Sequence, residues 1–303
     1  MSDETMDSRA GFVALIGAPN AGKSTLMNHL VGGKVSIVSH KVQTTRALIR
    51  GIVVHEGSQL VFVDTPGIFK PARRLDRAMV GTAWDGASDS DVVVLLIDAQ
   101  KGLSDDLDRI FEGLQDRKRT TVLALNKIDL VRREHLLDLT AKASEKADFQ
   151  RTFMISASTG SGCADLLDFL AETMPGGPFL YPEDQMSDLP LRQLAAEITR
   201  EKLYERLHQE LPYASTVETE AWKDLKSGDV RIEQTIYVAR DSQKKIVLGK
   251  GGATIKAISA SARRELADML ERNVHLFLFV KVRERWLDDP ERYRNMGLDF
   301  PGD

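Results

Sequence analysis

The sequence predicts an α/β domain built on a mostly parallel sheet, followed by a smaller α+β domain, and three observations carry that prediction. The first is length: 303 residues exceed one average domain and suffice for two, each with its own core. The second is rhythm. From Phe12 to about Met174 short apolar runs (FVALIG, LVFVD, DVVVLLID, TVLALN, TFMIS) alternate with stretches of helical spacing such as Lys23 to Val31 and Leu103 to Arg117, the pattern of parallel strands covered on both faces. The third is a break. PGGPFLYPEDQMSDLP, Pro175 to Pro190, carries four prolines and two glycines, where proline fixes φ and removes backbone donors. The expected division is a first domain over 10–176, a linker over 177–190, a second domain over 191–285 and a tail helix over 286–303.

Within the first domain, Leu48 to His55 is a further strand that pairs with Leu60 to Asp64 as a hairpin around Glu56-Gly57-Ser58, giving the sheet one antiparallel edge. After the linker the order changes to a helix from about Leu191 to Glu210, strands near Ser215 to Trp222 and Val230 to Ala239, a helix pair around Val247 to Glu271, and a strand Val274 to Val282. That αββααβ order predicts a compact domain with an antiparallel-rich sheet. The interleaved charges of the first of these helices, Glu197, Arg200, Glu201, Lys202, Glu205 and Arg206, read as a solvated face with i,i+4 pairs. In the tail, Pro290 is expected to start a helix within Trp286 to Gly297.

Composition narrows the class. Hydrophobic residues at 42% and charged residues at 28% are the balance of a soluble globular protein. The longest apolar run, Val92 to Ile97, is far short of the ~20 residues that cross a bilayer, and the start MSDETMDSRA has neither basic flank nor apolar core, so no export or spanning signal is expected. Cys163 is the single cysteine, which suits a reducing compartment and reads as structural. The six histidines show no metal-ligand spacing, and the three tryptophans and Tyr181 read as packing. A net charge of -4 means that any nucleic-acid contact must come from a local patch. The expectation is a cytoplasmic monomer, with peripheral association at the inner face of the cell membrane as a second location.

Gly17-Ala18-Pro19-Asn20-Ala21-Gly22-Lys23-Ser24 matches GxxxxGK[ST] straight after an apolar strand and at the start of a helix, with Thr25 next in the same turn. Glycines let the backbone curl so that several N–H groups face one point, a nest for a polyanion. Lys23 adds charge at the β,γ-phosphates and Ser24 a hydroxyl for Mg²⁺. Asp64-Thr65-Pro66-Gly67 follows a second apolar strand, from which the Asp64 carboxylate reaches the magnesium's water shell and the Gly67 N–H the γ-phosphate. Asn126-Lys127-Ile128-Asp129 ends another strand. Asp129 there accepts both donors of guanine, Asn126 ties the loop to the phosphate loop, and the Lys127 stem covers the ring; with adenine the buried carboxylate would lose its partners. Ser156 and Ala157, after the next strand, offer backbone N–H groups to the guanine O6.

In this order the motifs resemble those of a TRAFAC-class P-loop GTPase. Gln43-Thr44-Thr45-Arg46, the single G domain and the second domain narrow the resemblance to the bacterial Era family, over essentially the whole chain from Gly11. The resemblance implies that Gln43, Thr44, Thr45, Arg46 and Ala47 form a mobile switch segment in which one threonine coordinates Mg²⁺, Thr45 before Thr44. The metal set is then Ser24, Thr45 and Asp64, and the catalytic set Asn20, Lys23, Thr45, Asp64 and Gly67. After Gly67 comes Ile68, where Ras-like switches carry a water-orienting glutamine, so intrinsic turnover is expected to be slow. In related GTPases an asparagine at the Asn20 position accompanies a K⁺ ion beside the phosphates.

Gly249-Lys250-Gly251-Gly252 opens a helix with apolar residues at Ile255, Ile258, Ala262, Leu266 and Met269. Glycines around one lysine allow a nucleic-acid backbone to lie close between two helices, the GXXG clamp. Between Arg240 and Arg264 seven basic residues face one acid, Asp241; Lys244, Lys245, Lys250 and Lys256 are the candidate phosphate contacts. The loop and element order are similar to a type II KH domain, which the Era family also carries. The resemblance implies a GTP-hydrolysing switch that takes GTP and GDP with Mg²⁺, binds the 3′ end of small-subunit (16S) ribosomal RNA on the 30S subunit, and acts in its assembly. Two other readings stand beside it: an RNA-modification GTPase, for which the chain has no thiolation or oxidoreductase module, and a constitutive RNA-binding protein with a nearly inactive G domain.

Overall fold

The computed structural model describes residues 8–115, 119–208, 211–284, 290–295 and 297–300. These residues form two compact units, one of 8–36, 45–188 and 297–300, the other of 37–44 and the described residues from 189 to 295.

In the first unit the elements are β1 (Arg9–Gly17), α1 (Lys23–Val31), β2 (Ile49–His55), β3 (Ser58–Asp64), α2 (Arg74–Ser88), β4 (Val92–Asp98), α3 (Asp105–Gln115), β5 (Thr120–Asn126), α4 (Arg133–Ser144), β6 (Arg151–Ile155) and α5 (Cys163–Thr173). The sheet runs β2-β3-β1-β4-β5-β6, with β2 antiparallel to β3 and the other pairs parallel. Glu56 and Gly57 join the hairpin, both at positive φ, 48° and 76°, as a two-residue turn between twisted strands requires. Alternation explains the two cores. Val13 and Leu15 pack with α1 and α5 through Leu26, Met27, Leu166 and Leu170, while Ala14 and Ile16 pack on the opposite face with α2, α3 and α4 through Ala83, Ile110, Phe111 and Leu139. Removing the ring of Phe111 would cost about 3–5 kcal/mol at such a site. Successive connections leave β1 for β3 on one side and reach β4 on the other, and ligands of open α/β sheets bind beyond the strand ends at such a point.

The proline-rich stretch counts with this first unit as far as Asp188. It cannot extend the sheet as a full strand, yet it is tied to the sheet through its backbone: Leu180 and Tyr181 N–H donate to Gln59 Oε1 at 2.7 and 3.0 Å, and Ile52 N–H donates to the Met186 carbonyl at 2.9 Å. Cys163 is buried and unpaired, with burial pushing its thiol up to about 11.

The second unit contains α6 (Leu191–Arg206), β7 (Ser215–Asp224), β8 (Val230–Val238), α7 (Asp241–Leu248), α8 (Ala253–Leu270), β9 (Val274–Val282) and α9 (Pro290–Asn295). The element order αββααβ is observed, but the sheet is not antiparallel-rich: β8 pairs antiparallel with β7 and parallel with β9, because two helices cross over between β8 and β9. The helix pair begins at Asp241, six residues before the expected start, where Gln243 Oε1 caps the turn from Ala239 N–H at 2.9 Å. Ile258, Ala262 and Leu266 of α8 and Leu194, Ile198 and Tyr204 of α6 bury one face of the sheet. The tail helix starts at Pro290; Trp286 lies outside the described residues. No helix among the described residues is long and apolar enough to cross a membrane.

Candidate nucleotide site and nucleic-acid surface

Beyond β1 the chain curls from Gly17 to Ser24, and α1 starts at Lys23, after Gly22, without any side-chain cap. Its first N–H groups are therefore left for a ligand. Gly22 has φ 100°, and a Cβ there would lie 2.2 Å from Asn126 Nδ2, so only glycine fits between this loop and the base loop. Asn20 also holds a positive φ, 63°. Lys23 folds back over the loop, its ammonium donating to the carbonyls of Gly17 at 3.0 Å and Ala18 at 3.2 Å. Burial lowers its pKa to about 8, against the opposing pull of Asp64.

Asp64, at the end of β3, is fully buried. Its Oδ2 accepts from Ser24 Oγ at 2.6 Å, Ser36 Oγ at 2.9 Å and Thr45 Oγ1 at 3.2 Å, and Ser24 and Thr45 are themselves 3.0 Å apart. Burial raises the Asp64 pKa, and Lys23 and the three hydroxyls pull it back down. Its Oδ1 is buried without a hydrogen-bond partner. An orphaned carboxylate oxygen beside two hydroxyls is an all-oxygen donor set that fits a hard divalent cation. Ser36 was not legible in sequence, since it lies between Val35 and Ile37 in a stretch that matches no motif. Thr65 turns its hydroxyl to the Leu15 carbonyl at 2.8 Å, so its side chain anchors the loop to β1. Ile68 is buried in the core with Ala14 and Ile16, and its N–H donates to the Gly17 carbonyl at 3.1 Å. Its side chain has no polar atom with which to orient a water.

The base loop is assembled by one amide. Asn126 Nδ2 donates to the Ala21 carbonyl at 2.8 Å, and its Oδ1 accepts from Lys127 N–H at 2.8 Å and Ala157 N–H at 2.9 Å. Phosphate loop, NKID segment and the Ser156-Ala157 turn are thus joined at a single side chain. Lys127 pairs with Asp98 at 2.6 Å, a partner that sequence reading missed because it ends a different strand, β4. Asp129 lies exposed in the single helical turn Ile128–Leu130, its carboxylate open to a base.

In the second unit the loop Gly249 to Gly252 joins α7 to α8 with Gly249, Gly251 and Gly252 at φ 72°, 60° and 79°. A Cβ at Gly251 would meet nothing within 4 Å, so this loop faces open space. Lys245, Lys250 and Lys256 are exposed around it and Lys244 is half-buried. Ile246, 57% exposed beside them, adds an apolar surface of the kind on which bases pack. The structure corrects the reading of α6 as a solvated face: Arg200 is 2% exposed, Glu201 3% and Tyr204 not at all. The helix also ends at Arg206.

A glycine-cradled lysine, a buried strand-end carboxylate and an NKxD loop on one mostly parallel sheet define a GTP-binding P-loop domain, here in one chain with a GXXG-bearing α+β domain. Family models agree: one described as 50S ribosome-binding GTPase matches residues 12–127, and a KH domain model matches 210–287. The chain is 70% identical over 294 residues to the GTPase Era of Sinorhizobium medicae, covering 97% of this chain and 95% of that protein. It is 68% identical over 299 residues to that of Agrobacterium fabrum, covering 99% and 94%. Among solved structures, a tyrosine-to-alanine variant of Aquifex aeolicus Era bound to GDP and aluminium fluoride matches with TM-score 0.90 and 36% identity, over 95% of this chain and 99% of that one. Era in complex with MgGDPNP and nucleotides 1506–1542 of 16S ribosomal RNA matches with TM-score 0.91 and 36% identity, over 96% and 99%. The chain belongs to the Era family of GTPases, and the reaction it catalyses is hydrolysis of GTP to GDP and phosphate.

Proposed function

We propose that this GTPase is a switch whose nucleotide state governs binding of the 3′ end of small-subunit ribosomal RNA, and that as a cytoplasmic monomer it acts on the 30S subunit during assembly. The observation that carries the reading is the open GKGG loop with its exposed lysines, built into the same chain as a complete nucleotide site. The relative solved with a 16S fragment supports the choice of RNA. The broader family model, described by the 50S particle, spans only 12–127 and so carries no information on the RNA domain.

The chemistry follows from the residues. Ser24, Thr45 and Asp64 would hold Mg²⁺, which when bound neutralises charge on the phosphate oxygens. Lys23 places its charge at the same oxygens, the Gly67 N–H stabilises the transferring phosphoryl, and Asp129 selects guanine. Because the Ile68 side chain offers no polar atom, water placement falls to other groups, and Asn20 beside a K⁺ ion is our candidate.

The test is turnover with and without an RNA oligonucleotide of the 16S 3′ end, in K⁺ and in Na⁺. The free protein should turn over on the order of 10⁻⁴ to 10⁻² s⁻¹, and faster with RNA. Na⁺ should slow it, and Asn20→Ala should erase that difference. RNA binding indifferent to nucleotide, with no change of rate, would establish the constitutive binder instead.

A further inference from the structure

Residues 37–44, the segment leading into Thr45, belong to the second unit. They are held there at the backbone by α6. Glu201 Oε1 accepts from Val38 N–H at 2.8 Å, Tyr204 Oη donates to the Gln43 carbonyl at 3.3 Å, and Arg200 Nη2 donates to the Thr44 carbonyl at 2.6 Å. In return the Lys41 ammonium donates to the carbonyls of Tyr204 and Leu207, at the end of that helix. Arg200 is a buried charge, braced by Glu197 Oε1 at 2.8 Å and lying 5.2 Å from the centre of the Tyr204 ring. Burying a guanidinium is unfavourable unless such partners repay the lost hydration. From Glu201 the link runs onward: Lys202 pairs with Glu201 at 2.9 Å and with Glu265 of α8 at 2.6 Å, and Arg206 donates to Ser261 of α8 at 2.8 Å. The helix α8 is the one that the GKGG loop opens.

We propose that Arg200, with Glu201 and Tyr204, is a positioning residue that fixes the backbone just before Thr45, and that through it RNA on the GKGG loop changes the hold on the γ-phosphate-dependent Mg²⁺ ligand. The inference deepens the proposed function and rests on its RNA and Mg²⁺ readings. The physical basis is that one buried cation holds the carbonyl of Thr44, and the hydroxyl of the next residue, Thr45, lies 3.0 Å from Ser24 and 3.2 Å from Asp64. A two-way link of this kind makes GTP raise RNA affinity by the same factor as RNA raises GTP affinity.

The experiment titrates a fluorescent non-hydrolysable GTP analogue and fluorescent GDP against the full chain at stepped Mg²⁺, with and without the RNA oligonucleotide, for the wild type, Arg200→Met, Arg200→Lys and Tyr204→Phe. Arg200→Met should bind GDP as the wild type does but lose about tenfold in analogue affinity, the size expected for a charge-assisted hydrogen bond. It should also need more Mg²⁺ and lose the response to RNA, while Arg200→Lys recovers part of each. Folded Arg200→Met with unchanged analogue-to-GDP preference overturns the proposal. If the wild type itself ignores RNA, it is the RNA reading that fails, and the analogue-to-GDP preference still decides the role of Arg200. Should Arg200→Met fail to fold, Tyr204→Phe removes the hydroxyl that donates to the Gln43 carbonyl and should lose about two- to threefold in analogue affinity; no loss overturns the proposal.

Discussion

The chain twice places a lysine directly after a glycine, at or just before the start of a helix, and the two loops behave as opposites. At the nucleotide site Lys23 is 6% exposed and bonded to the carbonyls of its own loop, and the glycine beside it is wedged against Asn126. At the GKGG loop Lys250 is exposed and Gly251 faces open space. Both helices begin at a left-handed glycine without a side-chain cap, so helix polarity does not separate them. Burial does. A buried lysine held by two carbonyls of its own loop is a fixed charge that recognises one triphosphate geometry. An exposed one is a mobile charge that attracts any phosphate and is screened by salt.

The largest expected effect breaks the specific side of this contrast. Asp129→Asn should weaken GTP binding on the order of a thousandfold and improve xanthosine triphosphate binding, because the carboxylate accepts two guanine donors that an amide cannot both satisfy. Nucleotide titration checks it, and unchanged GTP affinity would remove Asp129 from the site. On the adaptable side, Lys250→Asp with Gly251→Asp puts like charge and side chains where the strand must lie. RNA affinity should fall about a hundredfold, and wild-type binding should itself weaken about tenfold between roughly 50 and 200 mM salt, while GTP affinity holds. Normal RNA binding by the double variant would remove the GKGG loop from the interface. The smallest effect sharpens the contrast at Lys23. With its pKa lowered to about 8 by burial, the free protein loses this charge as pH rises through that value, whereas a bound triphosphate keeps it protonated. GTP affinity should be steady below that pH and decline above it, by at most about tenfold per pH unit. A flat affinity up to pH of about 9.5 would mean that Lys23 stays charged in the free site.

The features legible in sequence are those that a contiguous run can encode. The phosphate loop, DTPG, NKID and GKGG each sit within a few residues, bracketed by strands or helices whose periodicity is read from the same stretch. The αββααβ order and the proline-rich break are legible for the same reason. The tertiary structure decided the rest, because it depends on partners far apart in the chain. Ser36 joins Asp64, Asp98 joins Lys127 and Gln59 satisfies the backbone at Leu180 only once the strands are aligned. The parallel pairing of β8 with β9 follows from where α7 and α8 return the chain, which no local pattern states. Arg200 shows the limit most clearly: charges spaced three and four apart are the signature of a wet helix, and local spacing carries no term for what packs on top. Here the covering segment lies 156 residues away, at Thr44, and its backbone carbonyl makes burying a guanidinium possible.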